Sequence, residues 1–218
     1  MDPQTLLFDL VLVGLAYLSG SVPVGVLVAR LSGGVDPRTV GSGRTGGTNA
    51  LRALGRRRAL VVVLGDVGKG LLPVLVARTA TGGDPAMEVA CALAAVLGSG
   101  RSIFLRFGGG RGVGTGVGTL LAIQPLALLV AAPVFVGVIL ATRYVSLGSL
   151  LGSAAILPGV VIVFLVANGT IPTAYLVYAT AGPALIWLSH IDNIRRLVAG
   201  TERRFDLGML AGRGPTGS

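Results

Sequence analysis

Long apolar runs alternate along this chain with short connections rich in glycine and arginine. Five runs, Leu6 to Leu31, Ala59 to Val76, Ala86 to Leu105, Val145 to Ala167 and Pro172 to Ser189, are long enough for a helix to cross the hydrocarbon core of a bilayer, which takes about 20 residues. Arginines, glycines or prolines bound each run. A further stretch, Val113 to Thr142, is about 30 residues of apolar chain broken at Gln124 and Pro125, too long for one comfortable span and short for two.

The placement of arginine settles how that stretch counts. Arg30, Arg38, Arg44, Arg52 and Arg56 to Arg58 follow the first run, and Arg101, Arg106 and Arg111 follow the third. Arg143 follows the broken stretch, and Arg195, Arg196, Arg203, Arg204 and Arg213 follow the last run. If Gln124 and Pro125 separate two passes, every basic cluster falls on one side and every charge-poor connection on the other. The positive-inside rule then predicts an all-α polytopic membrane protein of about seven spans, within a range of five to seven, N-terminus outside and C-terminus in the cytoplasm. Residues 1–218 read as one integral-membrane domain, with cytoplasmic loops at about 32–58, 101–112 and 190–218. The piece Val113 to Ile123 covers only about 16 Å at helical rise, so it is expected to be tilted, extended or re-entrant.

Composition agrees with that class: 52% of residues are hydrophobic and 12% charged, and the mean hydropathy is +0.82. The N-terminus lacks the basic region and small-residue cleavage site of a signal peptide, so the first run is expected to be retained. The single cysteine, Cys91, excludes a disulfide framework and a cysteine metal site. A net charge of +9 raises nucleic-acid binding, but the basic loops hold few aromatic residues for base stacking and no nucleic-acid fold signature. Basic loops beside membrane spans face anionic lipid and need no other partner.

Chemistry is concentrated in two glycine-rich loops. In GSGRTGGTNALR, Gly41 to Arg52, glycines let successive N–H groups converge, Ser42, Thr45, Thr48 and Asn49 supply short polar side chains, and Arg44 and Arg52 supply charge. Phosphate is the ligand such a nest holds best. The second loop, GGGRGVGTG from Gly108 to Gly116, repeats that composition, so the chain is expected to bind two phosphate groups or to clamp one from both sides. The glycines at 112, 114, 116 and 118 serve equally well as a helix-packing face. The literal GxGxxG at Gly41 to Gly46 lacks the βαβ context of a dinucleotide site, and Gly68-Lys69-Gly70 lacks the rest of a P-loop. Asp66 and Lys69 lie three apart in an apolar span, as a buried pair or as supports of a site. His190, Asn193, Ile194 and Leu197 share one helical face.

Together these segments resemble the bacterial acyl-phosphate:glycerol-3-phosphate acyltransferase family, the PlsY type, over nearly the whole chain. The resemblance runs in order through SVPVGVLVAR and VDPRTVGSGRTGGTNALRALG, LGDVGKGLLPVL, FGGGRGVGTGVG, TRYVSLGS and HIDNIRRLVAGTE. It implies transfer of a fatty acyl group from acyl phosphate to the sn-1 hydroxyl of glycerol 3-phosphate, without cofactor or metal, in the bacterial inner membrane. Implied partners are those two substrates, membrane lipids and the peripheral enzyme that makes acyl phosphate. The same resemblance assigns Ser42, Arg52, Lys69 and Ser146 to glycerol 3-phosphate and Gly109, Gly110, Arg111 and Gly112 to acyl phosphate. His190 and Asn193 are assigned to orienting the acceptor or polarising the acyl carbonyl. The chain departs from the family pattern at Arg44, Gly47, Ser99, Gly108 and Arg111, which leaves an inactive or repurposed paralogue as an alternative. From another class, an anion transporter would use the glycine loops as a filter, but the two halves show no inverted repeat. A CDP-alcohol phosphotransferase would need a carboxylate cluster for metal, and the nine acids are scattered.

Overall fold

A computed structural model describes residues 2–211. Met1 and residues 212–218, which hold Arg213 and the end of the predicted loop 190–218, lie outside the described residues. Eleven α-helices follow in order among the described residues, with no strand: α1 (Pro3–Ser21), α2 (Val24–Leu31), α3 (Gly47–Leu54), α4 (Arg56–Ala80), α5 (Pro85–Gly100), α6 (Val113–Ile123), α7 (Leu128–Thr142), α8 (Val145–Ala154), α9 (Ile156–Val166), α10 (Ala174–Ser189) and α11 (Ile191–Val198). Five stretches are long and apolar enough to cross a membrane, and a sixth is formed if α10 and α11, bent by 66°, count as one. Their leucines and valines, such as Leu7, Leu64, Leu129 and Leu165, stand exposed, as lipid-facing side chains do.

Prolines break the apolar runs where periodicity alone does not. The predicted run Leu6 to Leu31 is two helices, because Pro23 has no N–H and forces the preceding residue out of the helical region. Val22 is extended there (φ −56°, ψ 118°), and its freed carbonyl accepts a hydrogen bond from Lys69 Nζ at 3.0 Å. Within α4, Pro73 cannot donate to the Lys69 carbonyl. Ser19 Oγ of α1 donates to that carbonyl instead, at 3.2 Å. In the run from Val145, Pro158 leaves a break at Ala155 between α8 and α9.

The short helix α6 starts at the same end of the bundle as the basic loops and leads away from it; α7 returns. Gly112, Val113 and Val117 line the cavity at that end, and the carbonyl of Arg143, just after α7, accepts the Phe205 N–H beside the cavity-lining Glu202 and Arg203. The 30-residue stretch is therefore two helices of opposite direction, of which Pro125–Thr142 is long and apolar enough to span and Val113–Ile123 is a shorter apolar helix. The shorter one is 11 residues long and mostly buried against protein, so it need not match the lipid thickness.

Helix α5 is the centre of the bundle, in contact with α1, α4, α6 and α10. Its small residues let backbones approach: a Cβ at Gly20 of α1 would overlap the Ala95 carbonyl, and one at Gly98 the Tyr17 carbonyl. Between α4 and α6, a Cβ at Gly118 would overlap the Val67 carbonyl and one at Gly70 the Thr115 carbonyl. The largest apolar cluster, including Val74, Val89, Leu120, Ile123 and Tyr178, fills the end away from the basic loops. There Arg78 pairs with the buried Glu88 through two hydrogen bonds of 2.8 and 2.7 Å. Tyr175 Oη donates to the same carboxylate at 2.9 Å, which leaves the near end free to be polar.

Candidate active site

The first glycine loop is shaped by one buried asparagine. Asn49, 3% exposed in α3, donates through Nδ2 to the carbonyls of Pro37, Val40 and Arg44. Its Oδ1 accepts the Ser42 N–H at 3.0 Å. A Cβ at Gly41 (φ +55°) would collide with that Oδ1, so glycine is required there. Asn49, expected from composition to offer its amide to a ligand, is instead consumed in holding the loop. Ser42, Arg44, Thr45 and Arg52 are left to face the cavity.

The second loop is pinned by Ser102, whose Oγ donates to the Ser21 carbonyl at 2.6 Å and whose N–H donates to Gly108 at 2.8 Å. Gly110 donates its N–H to the Ser99 carbonyl at 3.0 Å. That N–H is therefore not available to a phosphate, contrary to the expected cradle. Gly109 stands outside the cavity wall, whereas Gly110, Arg111 and Gly112 are in it. What Gly112 does supply is the left-handed turn (φ +74°) that starts α6, aiming the first, unpaired N–H groups of that helix at the cavity. The two readings of the glycine run thus divide along it: Gly112 and Gly114 line the cavity, while Gly118 packs on α4.

The third side comes from α8, α10 and α11. The 66° bend between α10 and α11 places His190 and Asn193, each 2% exposed, in the wall with Ser146. Glu202 ties this side together. It accepts from Ser146 Oγ at 2.9 Å, Asn193 Nδ2 at 2.7 Å and Arg196 Nε at 2.8 Å. Burial opposes its charge, but these three hydrogen bonds prevail and hold its carboxyl below the usual range. Glu202 carried no assigned role in the sequence, because nothing local shows that its side chain turns back over nine residues to Asn193.

The resulting cavity is about 360 Å³. Of the expected site residues, Ser42, Arg52, Ser146, Gly110, Arg111, Gly112, His190 and Asn193 line it; Gly109 and Lys69 do not. Lys69 is turned away, its ammonium 2.8 Å from Asp66 Oδ1 and bonded to Val22. In this arrangement its ammonium is the counter-ion of a carboxylate at the wall. Arg44, Arg52, Arg111, Arg196 and Arg203 line the cavity against two carboxylates, Asp66 and Glu202, each already paired. Arg111 has no hydrogen-bond partner for its buried Nε. Burial, reinforced by the charge of Arg44, pushes its pKa down to about 10. Arg52 is likewise pushed down by burial and by Arg203. An anion would relieve both.

The same wall holds hydrogen-bond acceptors. His190 Nδ1 is 2.8 Å from the Ile186 carbonyl, so Nδ1 carries the proton and Nε2 is left as an acceptor. With its amide nitrogen on Glu202, Asn193 presents an Oδ1 that is buried without a partner. Both atoms are acceptors, which suit O–H donors and cannot polarise a carbonyl. Burial lowers the His190 pKa from 6.5 to about 4, with Arg111 adding to the shift. The unfolded chain therefore binds a proton that the folded one excludes between those values, and stability present above pH 6.5 is expected to fall as pH drops toward 4. Thermal melts across that range check this, and His190→Gln should flatten the profile. Among the described residues, no three His, Cys, Asp or Glu side chains are grouped to hold a metal ion.

Comparison with known proteins converges on one family. Residues 10–200 match the family described as glycerol-3-phosphate acyltransferase. The glycerol-3-phosphate acyltransferase of Geobacter sulfurreducens is 46% identical over 201 residues, 92% of this chain and 99% of that protein. That of Thermus thermophilus is 50% identical over 194 residues, 87% of this chain and 92% of its own length. The crystal structure of PlsY (YgiH), an integral membrane glycerol 3-phosphate acyltransferase, in its glycerol 3-phosphate form superposes with a TM-score of 0.82 at 38% identity, covering 94% of this chain and 99% of that one. Its lysphosphatidic acid form gives 0.81 at 36% identity. With fold, sequence and length all shared, the chain belongs to the glycerol-3-phosphate acyltransferase family.

Proposed function

We propose that this membrane enzyme acylates glycerol 3-phosphate in the cavity, taking the acyl group from an acyl phosphate. The observation that carries this reading is the gathering in one cavity wall of Arg111, whose buried Nε has no hydrogen-bond partner, with the neutral acceptors His190 and Asn193. The guanidinium suits phosphate, the acceptors a hydroxyl. The relatives are named for glycerol 3-phosphate, and the solved forms carry glycerol 3-phosphate and lysphosphatidic acid.

In this reading, Arg52 and Ser42 hold the phosphate of glycerol 3-phosphate, and Arg111 with the first N–H groups of α6 holds that of the donor. His190 and Asn193 accept hydrogen bonds from the glycerol hydroxyls and so aim the sn-1 oxygen at the acyl carbon. The new ester C–O bond forms as the bond from the acyl carbon to the phosphate oxygen breaks. The hydroxyl proton passes to the departing phosphate, whose second pKa near neutrality suits a base, giving inorganic phosphate and 1-acyl-glycerol 3-phosphate. The anhydride is already activated, so no covalent enzyme intermediate is needed. Positioning of this kind supplies about 7 to 11 kcal/mol when the reacting atoms are held close to attack geometry. Ser146 and Lys69 act indirectly, through Glu202 and Asp66.

Purified protein in detergent should release phosphate from palmitoyl phosphate only when glycerol 3-phosphate is present, and should form no lysophosphatidate from acyl-CoA alone. Robust product from acyl-CoA would sink the donor assignment.

The cavity end is the cytoplasmic face of the bacterial inner membrane in this reading, within reach of a peripheral enzyme that makes acyl phosphate. In a Cys91→Ser background, cysteines at the exposed Arg57 and Thr201 should resist an impermeant thiol reagent in intact cells, and one at the exposed Thr170 should react. The reverse labelling would invert the topology.

A further inference from the structure

Arg44 is the one guanidinium in the cavity wall whose ion partner stands outside it. Its Nη2 lies 3.2 Å from Asp192 Oδ2, with side-chain exposures of 29% and 56%. Asp192 is on the first turn of α11 and is not part of the wall. The pair joins the first glycine loop to α11 across the mouth, 148 residues apart in sequence. It is weakly built: one nitrogen and one oxygen meet, and a guanidinium has four further N–H groups to offer. The backbone beneath is fixed, since the Arg44 carbonyl accepts from Asn49 at 2.8 Å. The neighbouring Thr45 Oγ1 and Gly46 N would stand 3.5 and 3.9 Å from a Cβ at Gly110. The first glycine loop thus passes beside the second, and Arg44 is close enough to Arg111 for its charge to disfavour that of Arg111. An anchored backbone, a loosely held head and a second guanidinium at close quarters describe an arm that moves onto an anion.

We propose that Arg44 is a further phosphate-binding residue that exchanges partners: Asp192 holds the guanidinium at the mouth of the free cavity, and a phosphate monoester or acyl phosphate takes it over on binding. This rests on the reading that the cavity binds phosphate-bearing substrates. Asp192 is then a competitor of the ligand, and the two residues have effects of opposite sign.

Steady-state kinetics of Arg44→Ala, Asp192→Asn and the double variant, with glycerol 3-phosphate and palmitoyl phosphate varied in turn, test this. Arg44→Ala should raise one of the two KM values by about tenfold or more, and the substrate affected identifies the phosphate that Arg44 holds. Asp192→Asn should lower the same KM by about two- to fivefold, the value of a part-exposed ion pair, and should have no effect once Arg44 is alanine. If the pair is only a strap across the mouth, both single variants weaken binding in the same direction. A raised KM in Asp192→Asn, or both KM values within about twofold in Arg44→Ala, would overturn the proposal. Should Arg44→Ala fail to fold, Arg44→Gln, which keeps much of the side-chain length, takes its place.

A parallel titration with inorganic phosphate, read as a thermal shift, separates this proposal from the proposed reaction. Opposite shifts in half-saturating phosphate for the two variants uphold partner exchange even if wild type transfers no acyl group. Acyl transfer by wild type with like-signed shifts removes the arm and leaves the reaction standing.

Discussion

Gly110→Leu should fold normally and lose acyl transfer by about a hundredfold or more, the cost of displacing a reacting group by an ångström or so. A Cβ at Gly110 meets nothing closer than Thr45 Oγ1 at 3.5 Å and Ser99 O at 3.6 Å, so a side chain can begin there without collision. Its N–H bond to the Ser99 carbonyl survives the change. The remaining leucine carbons must then project between the two glycine loops, into the space beside Arg111. The melting temperature should stay near that of wild type, while the stabilisation that an acyl phosphate analogue gives wild type disappears, since a ligand stabilises only what it binds. Gly118→Leu is the control for packing: its Cβ would overlap the Val67 carbonyl, so stability and activity should fall together. Arg111→Lys should keep much of the activity, because it preserves the charge and loses only the fork geometry. A folded Gly110→Leu protein with undiminished turnover would refute the donor site.

Arg52→Ala should lower kcat/KM by roughly ten- to two-hundredfold, the value of a charge-assisted hydrogen bond of about 1.5 to 3 kcal/mol. Arg52 faces the cavity and carries a charge that burial disfavours. Without an anion that charge is a cost to the fold, so Arg52→Ala should not lower the melting temperature of the ligand-free protein. Arg57, exposed in the first turn of α4, is not part of that cavity's wall. Arg57→Ala should leave kcat/KM within about twofold. Equal losses at both positions would mean that net basicity, not a binding site, is being measured.

What sequence alone decided is whatever depends on composition and spacing. The apolar runs were sufficient to identify an all-helical membrane chain and to break Val113 to Thr142 into two helices at Gln124 and Pro125, because bilayer crossing is set by hydropathy over tens of residues. The expected seven spans compare with five or six stretches long and apolar enough to cross. Proline placed the breaks at Val22 and Ala155 just as locally, although the run Leu6 to Leu31 reads as one span until Pro23 is given its weight. Side-chain partners were settled by the tertiary structure. Lys69 reads as a ligand group beside the glycine loops, yet the broken end of α1 and the carboxylate of Asp66 claim its ammonium. Asn49 and the Gly110 N–H read as phosphate donors, yet loop carbonyls take them first. Asn193 gains its orientation only when Glu202 returns over α11. In each case a buried polar group must be satisfied by whichever partner the packing brings closest, and that partner lies on another element, at a separation no periodicity records.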